Sequence, residues 1–177
     1  MRSDRQPQVA KGMLAGMIGG LVASWAMNQF QAALKKTEEA WEKSAHRPQK
    51  QGQNSTESDS EDSTMKTADR IAEFALNRHL TREEKKKAGP VVHYAYGTLI
   101  GGFYGAMAEF APVVTKGNGS AYGVAALVAG DEIALPKLGL SKPPKQYPMK
   151  VHVEALAAHI VYGITTDTIR RSVRAVL

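Results

Sequence analysis

A single stretch near the start of the chain limits what it can fold into. Gly12 to Leu34 runs 23 residues without a charge, and glycines stand at Gly12, Gly16 and Gly20, with Gly19 beside them. As a helix this run is about 34 Å long, enough to cross a hydrocarbon core of about 30 Å. In a soluble helix each such glycine costs up to about 1 kcal/mol relative to alanine. Regular spacing at i+4 therefore asks for a packing reason. In lipid, helices associate through close backbone approach, which small residues permit.

The pattern recurs. Ala88 to Ala108 is a second run, with Gly97, Gly101 and Gly105 at the same step and Gly102 beside them. Its ionisable groups are His93 and tyrosines, and Pro112 and Gly117-Asn118-Gly119 mark its end. Ser120 to Leu135 is a third apolar segment, interrupted by Asp131-Glu132, and Val151 to Ile169 is a fourth. The expected fold is all-α: a polytopic bundle of about four transmembrane helices. Three regions follow: residues 1–34 (tail and first helix), 35–89 (polar loop) and 90–177 (a three-helix membrane region).

The mean hydropathy of −0.31 is that of an ordinary soluble protein, but it averages over segregated chemistry. Lys35 to Gly89 holds 12 of the 23 basic and 11 of the 17 acidic residues. Lys35 to Lys43 reads as a polar helical extension of the first run, and residues 49–63 have no aromatic or aliphatic side chain and read as disordered. Residues 67–80 return to helical spacing as an amphipathic helix that would lie on a membrane surface or on the protein itself. Thr81-Arg82-Glu83-Glu84 fits a capping box, and Pro90 suits a first helical turn.

Other readings of the first run are a signal peptide cleaved after Ser24-Trp25-Ala26 and a glycine-rich helix buried in a soluble protein. The helical pattern continues past the cleavage point through Met27, Phe30 and Leu34, which a leader does not need. The net charge of +6 accompanies no nucleic-acid recognition motif, so no nucleic-acid partner is expected. The chain has no cysteine, which removes disulfides and thiolate metal sites.

With four spans both termini share a side. Arg2, Arg5, Lys11, Arg170, Arg171 and Arg174 assign that side to the cytoplasm, and Lys137, Lys142, Lys145 and Lys150 then face outward. Arg170 and Arg171 are read as interfacial anchors. The polar residues inside the spans are His93, Glu109, Asp131, Glu132, His159 and Asp167, with His152 on the same helical face as His159. Such residues usually face a bundle interior and mark a pathway or a pair. The sharper reading gathers His93, Glu109, Asp131, Glu132 and His159 into one proton or metal site. The plainer one has each hydrated near an interface or paired with a neighbour. No metal or cofactor is expected, since neither Glu-x-x-His nor His-x-x-x-His occurs here. No nucleophile elbow, phosphate loop or dinucleotide fingerprint is present either, so no enzymatic reaction is expected.

From Val92 on, the chain resembles the YagU-like family of bacterial inner-membrane proteins, whose function is not assigned. The residues that carry this are His93, the run Gly-Gly-Phe-Tyr-Gly-Ala-Met-Ala-Glu from Gly101 to Glu109, Pro112, Pro136-Lys-Leu-Gly-Leu140, Pro143-Pro144, His159 and Arg170-Arg171. Asp167 falls where the family can carry an acidic residue. The resemblance covers about half the chain and extends loosely to the first span, while Lys35 to Gly89 departs from it. It implies an integral inner-membrane helical protein and supplies no substrate. The expected role is structural or interactive, with the lipid bilayer and a second copy or another membrane protein as partners. The alternative is a small proton-, ion- or solute-conducting protein that uses the intramembrane His, Glu and Asp residues.

Overall fold

The computed structural model describes residues 8–44 and 62–177. Among these it is helical throughout, without a strand. The stretch expected to be disordered, 49–63, lies outside the described residues except for Asp62 and Ser63.

Helix α1, Val9–Ser44, is one 36-residue helix. It carries the glycine run straight into the polar extension, passing unbroken through Ala26. Helix α2, Ser63–Leu76, starts on Asp62, whose side chain accepts from the Thr64 amide at 2.9 Å. It stops where Asn77 turns left-handed. Helix α3, Arg82–Phe110, opens on the capping box: Glu84 accepts from the Thr81 amide at 2.8 Å, and Thr81 Oγ1 accepts from the Glu84 amide at 3.3 Å. Pro90 therefore sits in the interior of α3 and not in its first turn. The cap nine residues earlier, at Thr81, sets the helix start. Within the polar segment 35–89, residues 35–44 extend α1 as their helical spacing suggests, 63–76 form α2, and 82–89 open α3.

A short 3₁₀ turn, Pro112–Thr115, follows. Gly117, Asn118 and Gly119 then all have positive φ, which lets the chain reverse within a few residues. Helix α4, Ser120–Ala126, leads into a π-helical segment, Leu127–Ala134, and a last turn, Leu135–Lys137. A proline-rich connection reaches helix α5, Met149–Val176.

Together α1, α3, α4 with its π extension, and α5 form an up-down-up-down bundle. The glycines set the register. A Cβ added at Gly12, Gly16 or Gly20 would come under 3.0 Å from the carbonyl oxygen of Gly105, Gly101 or Gly97 respectively. Gly101 and Gly105 meet α1 backbone in the same way. On another face of α1, Gly19 approaches the Thr166 carbonyl of α5. Gly119 and Gly163 bring α4 and α5 together, and Gly123 lies against the His159 carbonyl. Real Cβ atoms do not come this close, so the bundle is backbone against backbone at these points. Across its centre the Tyr162 hydroxyl donates to the Gly97 carbonyl at 2.6 Å.

Small and polar residues occupy the interior: Ala15, Ala23, Ala158, Ser24 and Thr166, with Tyr104 and Tyr162 between them, are all buried. The large apolar residues face outward: Leu14, Leu21 and Trp25 on α1, Leu99 and Phe103 on α3, Val153 and Ile164 on α5. Helix α1 is long and apolar enough to cross a membrane and, among the described residues, is the one helix that meets this by length and composition. Four such helices were expected. The uncharged run of α3 is diluted by His93, tyrosines and glycines, Asp131-Glu132 interrupts the π segment, and Glu154 and Asp167 lie in α5.

Two predictions follow from this packing. Gly16→Val should destabilise the bundle by at least about 1–3 kcal/mol, read by denaturant unfolding, whereas Leu21→Ile on the exposed face should change it by about 0.5 kcal/mol or less. The second concerns the α2–α3 hairpin. The Arg78 guanidinium, at 2.8 Å, and then the Thr81 amide hold the Glu84 carboxyl at about 2, against 4.5 ordinarily. Asp69 is lowered too, first by the Leu80 amide at 2.7 Å and also by Lys85. Depressed carboxylates stabilise the fold above their unfolded values and lose that contribution as pH falls through the folded ones. Amide exchange in α2, corrected for its intrinsic pH dependence, should accelerate between about pH 4.5 and about pH 2, and Glu84→Gln should remove much of that response.

Candidate functional site

The antiparallel order of the helices divides the polar residues between two ends. At the end where α1 begins, Asp167 is 1% exposed. Arg170 grips its Oδ1 through Nε at 3.1 Å and Nη2 at 2.8 Å, and Arg171 Nη2 lies 2.6 Å from Oδ2. The Arg170 guanidinium sits 5.6 Å from the centroid of the Tyr104 ring, within cation–π range. Beside this cluster Glu109 takes both Nε and Nη2 of Arg174, at 2.8 and 3.2 Å, and the Gln8 amide at 3.2 Å.

At the other end the π segment turns its two acids toward α5. Glu132 Oε1 lies 2.9 Å from His152 Nδ1, and Asp131 Oδ2 lies 3.7 Å from His159 Nε2. His159 Nδ1 is 2.9 Å from the Ala155 carbonyl; a carbonyl only accepts, so that nitrogen carries the proton. His152 Nε2 is 3.0 Å from the Pro144 carbonyl. A cleft of about 200 Å³ opens here, lined by Asp131, Glu132, His152, Tyr147, Leu127 and Val151 among others. His93 sits on α3 at this end with its ring edge-on to Tyr94, centroids 5.6 Å apart. The Tyr94 hydroxyl accepts from Asn28 of α1 at 3.3 Å.

The five-residue site drawn from sequence is thus not one site. Glu109 belongs to the first end, and Asp131, Glu132, His93 and His159 to the second. On α3, His93 and Glu109 are separated by about 24 Å of helix, and no partner helix folds back to join them. Arg170, expected at a headgroup interface, is 7% exposed and inside the bundle. One position on, Arg171 has a half-exposed side chain. The 3.6-residue turn carries 163, 166, 167 and 170 onto the buried side of α5, with Gly163 toward α4, Thr166 toward α1 and Arg170 over Tyr104 of α3, and swings 171 away.

Between the two ends, four hydroxyls terminate on backbone carbonyls. Ser24 donates to Gly20, Tyr122 to Ile100, Tyr162 to Gly97 and Thr166 to Tyr162. Each proton is held by an acceptor with no proton to pass on. Among the described residues no three His, Asp or Glu side chains gather closely enough to hold a metal ion.

Sequence reasoning left His152 and Arg174 off the list of candidate site residues. The adjacent acids Asp131-Glu132 and the two histidines seven residues apart were the available signal for His152. Arg174 had none, because its partner Glu109 lies on another helix.

This geometry defines a class: an antiparallel helical bundle in contact along glycines, with charges paired at both ends. Its family is one of unknown function. A family model described as protein of unknown function (DUF1440) matches residues 72–168, more than half of the chain, and the chain belongs to that family. The match runs from within α2 to within α5. No curated protein and no solved structure matches.

Asp167→Asn should cost about 3–5 kcal/mol in unfolding experiments, since it strands a buried guanidinium. The double replacement Asp167→Leu with Arg170→Met should recover most of that loss. An equal loss in the double variant would mean that the pair matters for shape and not for charge compensation.

Proposed function

We propose that this chain is an integral protein of the bacterial inner membrane, a four-span bundle of YagU-like type whose role is structural or interactive and not enzymatic. The observation that carries this is the inverted distribution of side chains. Leu14, Leu21, Trp25, Leu99, Phe103, Val153 and Ile164 face outward, around an interior of glycine, alanine, serine, threonine and tyrosine. In water such an exterior would drive aggregation. In lipid it is solvated, and what remains to be gained is close helix contact, which the glycines supply. Lys11, Lys116, Arg171 and Arg174 gather at the end where α1 begins. Lys137, Lys142, Lys145 and Lys150 stand at the other end, so the assignment of a cytoplasmic side to both termini rests on the basic residues that flank the first and last helices.

The glycine stripes are occupied within the chain, each against its own backbone. A second copy or another membrane protein would therefore meet the bundle on its outer apolar faces. Conduction is supported less well, because the buried hydroxyls between the two polar ends donate to backbone carbonyls and not to one another.

Fractionation of cells that make the full chain tests the proposal. The protein should stay with the membrane pellet through an alkaline carbonate wash and leave it only with detergent. Leu21→Arg, worth about 2.5–3.5 kcal/mol against insertion at a span centre, should lower the membrane-inserted fraction. Recovery of the chain in the soluble pool without detergent would end the proposal.

A further inference from the structure

We propose that His152 is a proton-operated latch holding the proline-rich connection, residues 138–148, against the π-helical segment, and that loss of one proton frees the mouth of the cleft between them. Both nitrogens of this ring face acceptors: Nδ1 lies 2.9 Å from Glu132 Oε1 and Nε2 lies 3.0 Å from the Pro144 carbonyl. A neutral imidazole has a single N–H, and a carbonyl oxygen can only accept. The pair therefore holds one proton more than a neutral imidazole beside a carboxylate. Imidazolium facing carboxylate and carboxylic acid donating to Nδ1 have the same proton count and satisfy both bonds. When that proton leaves, Nδ1–H stays with the charged acceptor Glu132. The lone pair on Nε2 then faces the Pro144 oxygen, and a bond becomes a repulsion.

The surroundings confine the response to one segment. Leu140 is 7% exposed, and its amide donates to the Leu135 carbonyl at 2.9 Å, so the start of the connection is anchored. Beyond it, the hydrogen bonds join the connection to itself: the Lys142 amide to Tyr147 Oη, the Gln146 amide to Pro143 O and the Tyr147 amide to Pro144 O. His152 is what ties this distal half across to the π segment. The side chains of His152 and Glu132 are 29% and 26% exposed, so water reaches the pair.

Several ionisable groups face it. Asp131 and Glu132 come from the π segment, and Tyr147 from the connection stands edge-on with ring centroids 6.4 Å apart. At the start of α2 the uncharged Ser63 lines the cleft, and the charge of Asp62 before it acts on Asp131. Lys150 and Glu154 on α5 itself are engaged with one another and with Glu38 of α1. The pair most able to imitate the latch is Asp131–His159, which ties the π segment to α5 without touching the connection.

The chain has no cysteine, so Ser63→Cys and Lys145→Cys can carry spin labels on opposite lips of the cleft. Pulsed electron–electron distances are read on the full chain at about pH 5 and about pH 9, on either side of the ordinary histidine range. At the acidic value one short, narrow distance is expected, and at the alkaline value that peak should be lost to longer, broader distances. His152→Gln should show the open distribution at both pH values, and His159→Gln should keep the wild-type response. Carbon-13 shifts of the unmutated His152 ring give a readout free of any folding defect and should titrate in step with the distances. Wild-type distances that do not change with pH, a response that survives His152→Gln, or a His152 ring that stays in one state while the distances move would each overturn the proposal.

Discussion

Backbone contact along α1 is the constraint from which the rest of this molecule follows. Gly12, Gly16 and Gly20 meet α3, and Gly19 meets α5, at separations that leave no room for a methyl group. At these contact points the helices leave no space for a side chain between them. Most of the large aliphatic and aromatic residues of α1, α3 and α5, such as Leu14, Leu21, Trp25, Leu99 and Phe103, lie outside, and alanine, serine, threonine and two tyrosines line the inside. The interior thus has little apolar area to bury, and the hydrophobic effect that stabilises most soluble cores has little to act on. Dispersion between closely spaced backbones takes its place, individually small and summed over several turns of helix.

The same closeness governs where charge can sit. An unpaired buried ion is among the costliest groups a fold can hold. The charges accordingly gather at the ends. Asp167 is held by two arginines, with Tyr104 beneath Arg170, and Glu109 is held bidentate by Arg174. At the opposite end the acids are adjacent in sequence, and each takes a different histidine of α5. The π-helical turn makes this division workable. By widening the helix it aims Asp131 and Glu132 at His159 and His152, two turns apart on α5. Wide turns of this kind recur at functional positions.

What the sequence revealed and what it concealed have a common physical basis. The glycine ridges at Gly12 to Gly20 and Gly97 to Gly105, the capping box at Thr81 and the polar extension beyond Leu34 are local patterns, and local patterns can be read from spacing. Pro90 was misread because its own preference for a first turn competes with a stronger signal, the cap at Thr81. Arg170 was read as an anchor because a charge near the end of an apolar run usually is one, and its burial depends on Asp167 one turn earlier and on Tyr104 of a different helix. The pairing of Asp131 with His159 and Glu132 with His152 was hidden for another reason. A 3.6-residue period cannot phase residues inside a π segment, so the faces that carry these acids could not be assigned from spacing. The split of the candidate polar residues between two ends likewise depends on helix order and direction, which no single segment encodes.

Accessibility along α1 tests this account most directly. Single cysteines at Leu14, Ile18, Leu21 and Trp25, and at Ala15, Gly19 and Ala23, would carry spin labels in the lipid-reconstituted chain. Relaxation by oxygen, which partitions into hydrocarbon, is then compared with relaxation by a water-soluble nickel chelate. The account predicts strong oxygen and weak nickel relaxation at the first four positions, and protection from both at the last three wherever the label is tolerated. Strong nickel relaxation at Leu14, Ile18, Leu21 and Trp25 would contradict it, because the large apolar residues would then face water.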